Sequence, residues 1–167
     1  MATFNVNTDL VNGDEVMLYI FTGSTAPSTA DAFSADTEVV AFATSCSLNI
    51  DGSTIDTSNK MSCRWNSNLA GKNSYTVSAD ALYTDVNGTY NFDDLLAAMI
   101  DGDPIYWAMG EPVATTASCE TNTFALDTDK VIAWGAGLIT SLSLTAGNNE
   151  VASASVTITG SGDLHTA

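Results

Sequence analysis

Four runs in this sequence alternate apolar with small polar residues, and that period of two commits much of the chain to β-strands. In ATSCSLNI, Cys46, Leu48 and Ile50 fall on one face of an extended chain and Ser45, Ser47 and Asn49 on the other. In SYTVSADALY, Tyr75, Val77, Ala79 and Ala81 oppose Thr76, Ser78 and Asp80. ITSLSLTA sets Leu142, Leu144 and Ala146 against Ser141, Ser143 and Thr145, and VASASVTITG sets Ala152, Ala154, Val156 and Ile158 against Ser153, Ser155, Thr157 and Thr159. Gly147-Asn148-Asn149 separates the last two runs, so they read as a β-hairpin. The first two are joined by a long polar loop, 52–72, whereas hairpin loops usually hold about 2–5 residues. A connector of that length needs a function.

The rest of the chain predicts a mainly β fold, a β-sandwich or partial barrel with one flanking helix, the long loop lying between two central strands. One domain is expected over 1–167, with an N-terminal arm at 1–12. EVMLYIF, Glu15 to Phe21, is apolar on both faces and reads as a core strand. Thr22 to Asp36, rich in Thr, Ser and Ala with Pro27, predicts a surface loop, and Glu38 to Ile50 a strand. Asn87-Gly88 marks a turn before the one helix, expected over 92–101. Asn91 is its N-cap, Asp93 and Asp94 sit where the helix dipole favours acid, and Gly102 with Pro104 ends it. Phe92, Leu95, Leu96, Met99 and Ile100 form one apolar stripe that should pack on the sheet. PIYWAM resumes strand character, and Gly110 to Lys130 reads as a loop or irregular hairpin.

Charge removes whole classes of function. Charged residues are only 14% of the chain, and Lys+Arg 4 against Asp+Glu 20 gives a formal net charge of -16. A chain so poor in Lys and Arg cannot grip nucleic acid by neutralising phosphates. The three cysteines, Cys46, Cys63 and Cys119, form no CxxC pair and no metal-ligand spacing, so reduced thiols are expected and neither metal nor cofactor is. The N-terminus lacks the basic and apolar regions of a secretory signal, and no apolar run approaches the ~20 residues that span a bilayer. A cytoplasmic chain without membrane insertion is the expectation. The four polar strand faces carry Ser, Thr, Asn and one Asp but no Lys or Arg, where a solvated face ordinarily carries long charged side chains. Copies closing these strands into a ring would remove the edges and line a common wall with hydroxyls.

With those residues in view, the chain resembles the major tail tube proteins of long-tailed bacteriophages of the lactococcal type. The resemblance rests on ATSCSLNI with IDTSNKMSCRW and GKNSYTVSADALY, on FDDLLAAMIDGDPI, and on GLITSLSLTAGNNEVASASVTITGSGDL, in that order. Met61 stands where the family commonly has an acid, and Tyr75 where it commonly has Trp. The resemblance implies a β-sandwich subunit of hexameric rings stacked into a hollow tube for the genome, located in the virion tail after assembly in the bacterial cytoplasm. It implies as partners other copies of the chain and tail proteins such as the tape measure, tail terminator and distal tail proteins, with DNA passing through unbound. It further implies that the loop Gly52 to Lys72 reaches the neighbouring ring.

Two sets of site residues follow. Three of the four basic residues, Lys60, Arg64 and Lys72, lie in the long loop beside Trp65, which predicts an inter-subunit contact with Trp65 as apolar anchor. The lumen-facing set is Ser45, Ser47, Asn49, Thr76, Ser78, Asp80, Ser141, Ser143, Thr145, Ser153, Ser155 and Thr157, with Asp80 the first candidate for a channel charge and Asp51 and Asp56 behind it. Catalysis is not expected, because the only histidine, His165, lies near the chain end in a tail expected to move. Asp127 and Asp129 lack the glycine and closing Glu of a calcium loop, and Asn87-Gly88-Thr89 reads as a turn rather than a glycosylation site. Two alternatives remain open: the inner tube of a contractile injection device, and a monomeric carbohydrate-binding β-sandwich using Trp65, Trp107 and Trp134 as stacking platforms.

Overall fold

The computed structural model describes residues 13, 16–23, 25–34, 36–40, 43–59, 61, 65–84, 90–113 and 124–166. The expected N-terminal arm 1–12, the turn at Asn87-Gly88, and the loop residues Lys60 and Arg64 lie outside the described residues. Among the described residues seven strands form one antiparallel sheet: β1 (Met17–Phe21), β2 (Thr37–Val39), β3 (Ala43–Asp56), β4 (Asn68–Leu82), β5 (Ile105–Pro112), β6 (Leu126–Thr145) and β7 (Ser153–His165). Their order across the sheet is β2-β1-β5-β6-β7-β4-β3. The one α-helix among the described residues, α1, spans Phe92–Asp101, the residues expected of it.

β6 joins the two halves of the sheet. It pairs with β5 from Leu126 to Gly137 and with β7 along its C-terminal part, and irregularities at Gly135/Gly137 and Ile139/Ser141 interrupt its ladder with β7. Such bulges bend a strand and increase its twist, so the sheet curls toward a partial barrel. The curl brings β3 close to the start of β1, where the Cys46 thiol donates to the carbonyl of Val16 at 3.4 Å. The run Glu38 to Ile50 is therefore not one strand. Its first residues pair with β1 at one edge of the sheet, and from Ala43 it pairs with β4 at the other edge.

Strand alternation distributes the core on both sides of the middle strands. Leu18, Ile20, Trp107, Met109 and Ala133 face one cluster with Val77, Ala79, Val156, Ile158 and Leu95. Their neighbours Tyr19, Ala108 and Trp134 face a second cluster with Leu126 and Val131. β1 is thus covered on both faces, as its unbroken apolar run requires. The segment after it is more than a surface loop: a 3-10 helix at Ala30–Ser34 drives Phe33 fully into the second cluster, against Trp134 with ring centroids 5.8 Å apart. A lone Phe among small residues leaves no periodic signal, which is why the sequence does not announce it.

Candidate assembly surfaces

The antiparallel registers bring all twelve polar candidates onto one face of β6, β7, β4 and β3. Ser143, Ser155, Asp80 and Ser45 stand in one row across the four strands, and Ser141, Thr157, Ser78 and Ser47 in the next. Thr76 and Asn49 continue the face on one side, and Thr145 opposite Ser153 on the other. The face is exposed or half-buried, while its reverse carries Val77, Ala79, Val156 and Ile158 in the core. Hydroxyls satisfy one another along the rows: Ser143 Oγ and Ser155 Oγ are 2.7 Å apart, and Ser45 Oγ donates to Asp80 Oδ2 at 2.9 Å. Asp80 is the single carboxylate among the twelve. Two edges of this four-stranded region lack a strand partner among the described residues, the outer edge of β3 and the stretch of β6 beyond Gly137 that faces away from β7.

The connector between β3 and β4 is shorter than expected, because the strands run on. Pairing continues from Gly52 opposite Asn73 to Asp56 opposite Asn68, leaving 57–67 as the loop. β7 accompanies β4 only as far as Thr76, so β3 and β4 continue past Tyr75 as a two-stranded ribbon. Among the described residues nothing covers this ribbon, so no alternating buried face exists there to mark it as strand in the sequence. Side chains fasten it locally: Ser53 Oγ donates to the carbonyl of Lys72, Thr57 Oγ1 to that of Ser67, and the Ser58 amide to Asp56 Oδ1 at 2.8 Å. The hydrogen bonds from Ser58 hold the Asp56 carboxyl below its ordinary pKa. Ile50, Ile55, Leu69, Met61 and Trp65 are exposed on this arm, Trp65 to 82%.

Residues 10–166 match the sequence family described as phage tail tube protein. The chain belongs to that family. This tail tube protein shares its fold with the protein of the tail of an empty gene transfer agent particle, refined with C6 symmetry, at TM-score 0.67 and 16% identity over 95% of this chain and 99% of the other. The virion of the native gene transfer agent particle gives 0.64 and 15% identity over 95% and 99%. The SPP1 tail tube gives 0.64 and 10% identity over 92% and 77%. No curated protein matches. A tail tube protein is a structural component of the virion tail, and its surfaces are to be read as assembly surfaces rather than as an active site.

The remaining sequence candidates of this tail tube protein fall into place around those surfaces. Trp107 is fully buried against Tyr75 and Trp134 is buried against Phe33, so no row of tryptophan platforms exists for a sugar. His165 is the last residue of β7 rather than part of a loose tail, stacked on Trp134 with centroids 4.2 Å apart. Asp127 and Asp129 lie in β6, where Asp127 Oδ1 accepts from the Asp129 amide. Lys130 pairs with Glu111, and Asp51 stands exposed at the base of the arm. On α1, Asn91 caps the helix by accepting from the amides of Asp93 and Asp94, and Asp94 Oδ2 accepts in return from the Asn91 amide. The apolar stripe of α1 is only partly used, however. Leu95 is buried on the sheet, whereas Leu96, Met99 and Ile100 are exposed, Ile100 to 74%.

Proposed function

We propose that six copies of this tail tube protein close into a ring through the free edges of β3 and β6, and that rings stack into a hollow channel for genome delivery. The observation that carries this reading is the one-sided sheet: twelve small polar side chains in register, free of Lys and Arg, ending on two unpaired edges. An isolated sheet edge presents unpaired amides and carbonyls, and closing a ring of copies satisfies both edges with one repeated contact. The likeness to a C6-symmetric tail supports six as the number. In this reading the polar face is the lumen, Asp80 supplies its carboxylate, and DNA slides past a wall that offers it no cation.

The arm formed by β3 and β4 contacts a neighbouring copy through Trp65, Lys72, Lys60 and Arg64. A two-stranded ribbon is marginal in water, and this one exposes five large apolar side chains, so a covering partner supports its order. The whole chain 1–167 acts as one tail-tube domain with residues 1–12 as an arm. The lactococcal-type sequence resemblance supports placement in a long phage tail, with tape measure, tail terminator and distal tail proteins as its neighbours.

Purified protein should form rings or tubes visible by negative-stain microscopy. Replacing residues 58–67 by an Asn-Gly turn should leave a folded subunit that no longer forms tubes. A strictly monomeric species at high concentration and varied salt would overturn the ring, and normal tubes from the shortened arm would overturn the role of the arm.

A further inference from the structure

The outer face of α1 is an apolar surface that the described residues of its own subunit leave open. Leu96, Met99 and Ile100 stand at helical spacing on this face, flanked by the exposed carboxylates of Asp93, Asp101 and Asp103. The arm has the converse character. It exposes Ile55, Met61, Trp65 and Leu69 and carries Lys72, which has no ion-pair partner among the described residues. Three of the chain's four basic residues belong to the arm by sequence. Apolar area faces apolar area, and the scarce cations have carboxylates to meet.

The two surfaces cannot meet within one subunit. Leu95 anchors α1 over Ala79, Ala81, Leu142 and Ala154, and Phe92 lies against Tyr83, so the helix sits at the C-terminal end of β4. The exposed ribbon occupies the opposite end, beyond Tyr75. From Ala81 back to Leu69 the strand covers about 40 Å at ~3.3 Å per residue. Complementary patches at opposite ends of one element make a heterologous contact, and where its rotation closes no ring such a contact propagates along an axis.

We infer that the partner of the α1 face is the β3–β4 arm of a second copy stacked head to tail. The inference rests on the tube reading above and names the receptor for the arm within it. Leu96, Met99 and Ile100 receive the apolar side chains of the incoming arm, and Asp101 with its neighbours receives Lys72. Contacts within a ring and contacts between rings then use different residues, the first the strand edges and the second arm and helix.

The test compares full-length wild type with Ile100→Asp, Asp101→Lys, Lys72→Glu and the double variant Lys72→Glu/Asp101→Lys. Both helix positions are exposed, and the helix dipole favours a lysine in the last turn and disfavours an added acid, so the subunits should stay folded, with Asp101→Lys at the wild-type melting temperature and Ile100→Asp a few degrees below it. The expected result is that each single variant still forms rings while mean tube length falls at least about tenfold, because every ring junction repeats the lost contact in each subunit. The double variant should regain length by restoring opposite charges. Tubes of wild-type length from Ile100→Asp and Asp101→Lys would overturn the inference and leave the tube reading intact. Loss of rings together with tubes would overturn the head-to-tail assignment. A wild type that forms neither would overturn the tube reading and this contact with it.

Discussion

Tyr75 shows how one side chain fixes its surroundings. Its hydroxyl donates to the carbonyl of Ala136 at 2.6 Å, its ring lies 5.8 Å from Trp107, and the same ring runs over Gly160 and Gly135. A Cβ on Gly160 would stand 2.4 Å from two ring carbons, so the close approach requires glycine there whatever its φ. Gly160→Ala should therefore destabilise the subunit by about 1–3 kcal/mol, as overpacking does, and Tyr75→Phe by about 1–3 kcal/mol because the Ala136 carbonyl loses its side-chain partner. Urea unfolding of the monomeric variants measures both. Burial raises the pKa of Tyr19, Tyr75 and Tyr90; for Tyr90 the carboxylates of Asp94 and Glu38 add to it. A phenol whose folded pKa lies above its unfolded value of ~10 contributes stability that is full below pH 10 and lost as pH rises through the folded value. Melting temperature should accordingly hold steady up to about pH 9.5 and fall above it, with these three of the five tyrosines resisting phenolate formation until the fold gives way.

At the scale of elements, α1 and the arm mark the two ends of what a sequence discloses. α1 is legible because its signals are local: the cap at Asn91, the acids of the first turn, and Gly102 in the left-handed conformation that closes it. Asn91→Ala should cost about 1 kcal/mol and Leu95→Ala about 2–5 kcal/mol, both read by thermal or urea unfolding, whereas Ile100→Ala on the outer face should leave the isolated subunit within about 0.5 kcal/mol of wild type. The polar face was legible for a related reason, since the pairs Ser143–Ser155 and Asp80–Ser45 require only alternation and antiparallel register. The arm was not, because Gly52 to Asp56 and Asn68 to Ser74 pair through their backbones while both faces stay in water, and a strand without a buried face has no period to read. The break between Val39 and Ala43 escaped for a different reason: the two sides are each good strand, and only the curl of the whole sheet sends them to opposite edges. His165 reads as tail because its order depends on Trp134, a residue far away in the sequence.

Across the whole molecule, charge bears on both the assembly and the passage proposed above. Each subunit carries a formal -16, so the proposed ring of six would carry -96, and mutual repulsion would oppose ring closure and stacking. Raising ionic strength from about 0.01 M to 0.15 M shortens the Debye length from ~30 Å to ~8 Å and should promote tube formation, measured by sedimentation. The proposed channel would obey a more local rule, since only charges within that distance of its lumen would act on DNA. Among the twelve polar residues of the face Asp80 alone bears a carboxyl group, and it is exposed with a hydrogen bond from Ser45. Asp80→Lys would put one cation per subunit on the wall while disturbing no buried group, and Asp80→Asn would remove the charge without replacing it. Tubes of the Lys variant should retain a short DNA duplex at about 50 mM salt and release it by about 200 mM, because binding through phosphates falls steeply with salt. Wild-type tubes should retain none at either salt, and the Asn variant should stay near wild type because it gains no donor of positive charge. Equal retention by Lys and Asn variants, or none by the Lys variant in intact tubes, would mean that the face carrying Asp80 is turned away from the channel.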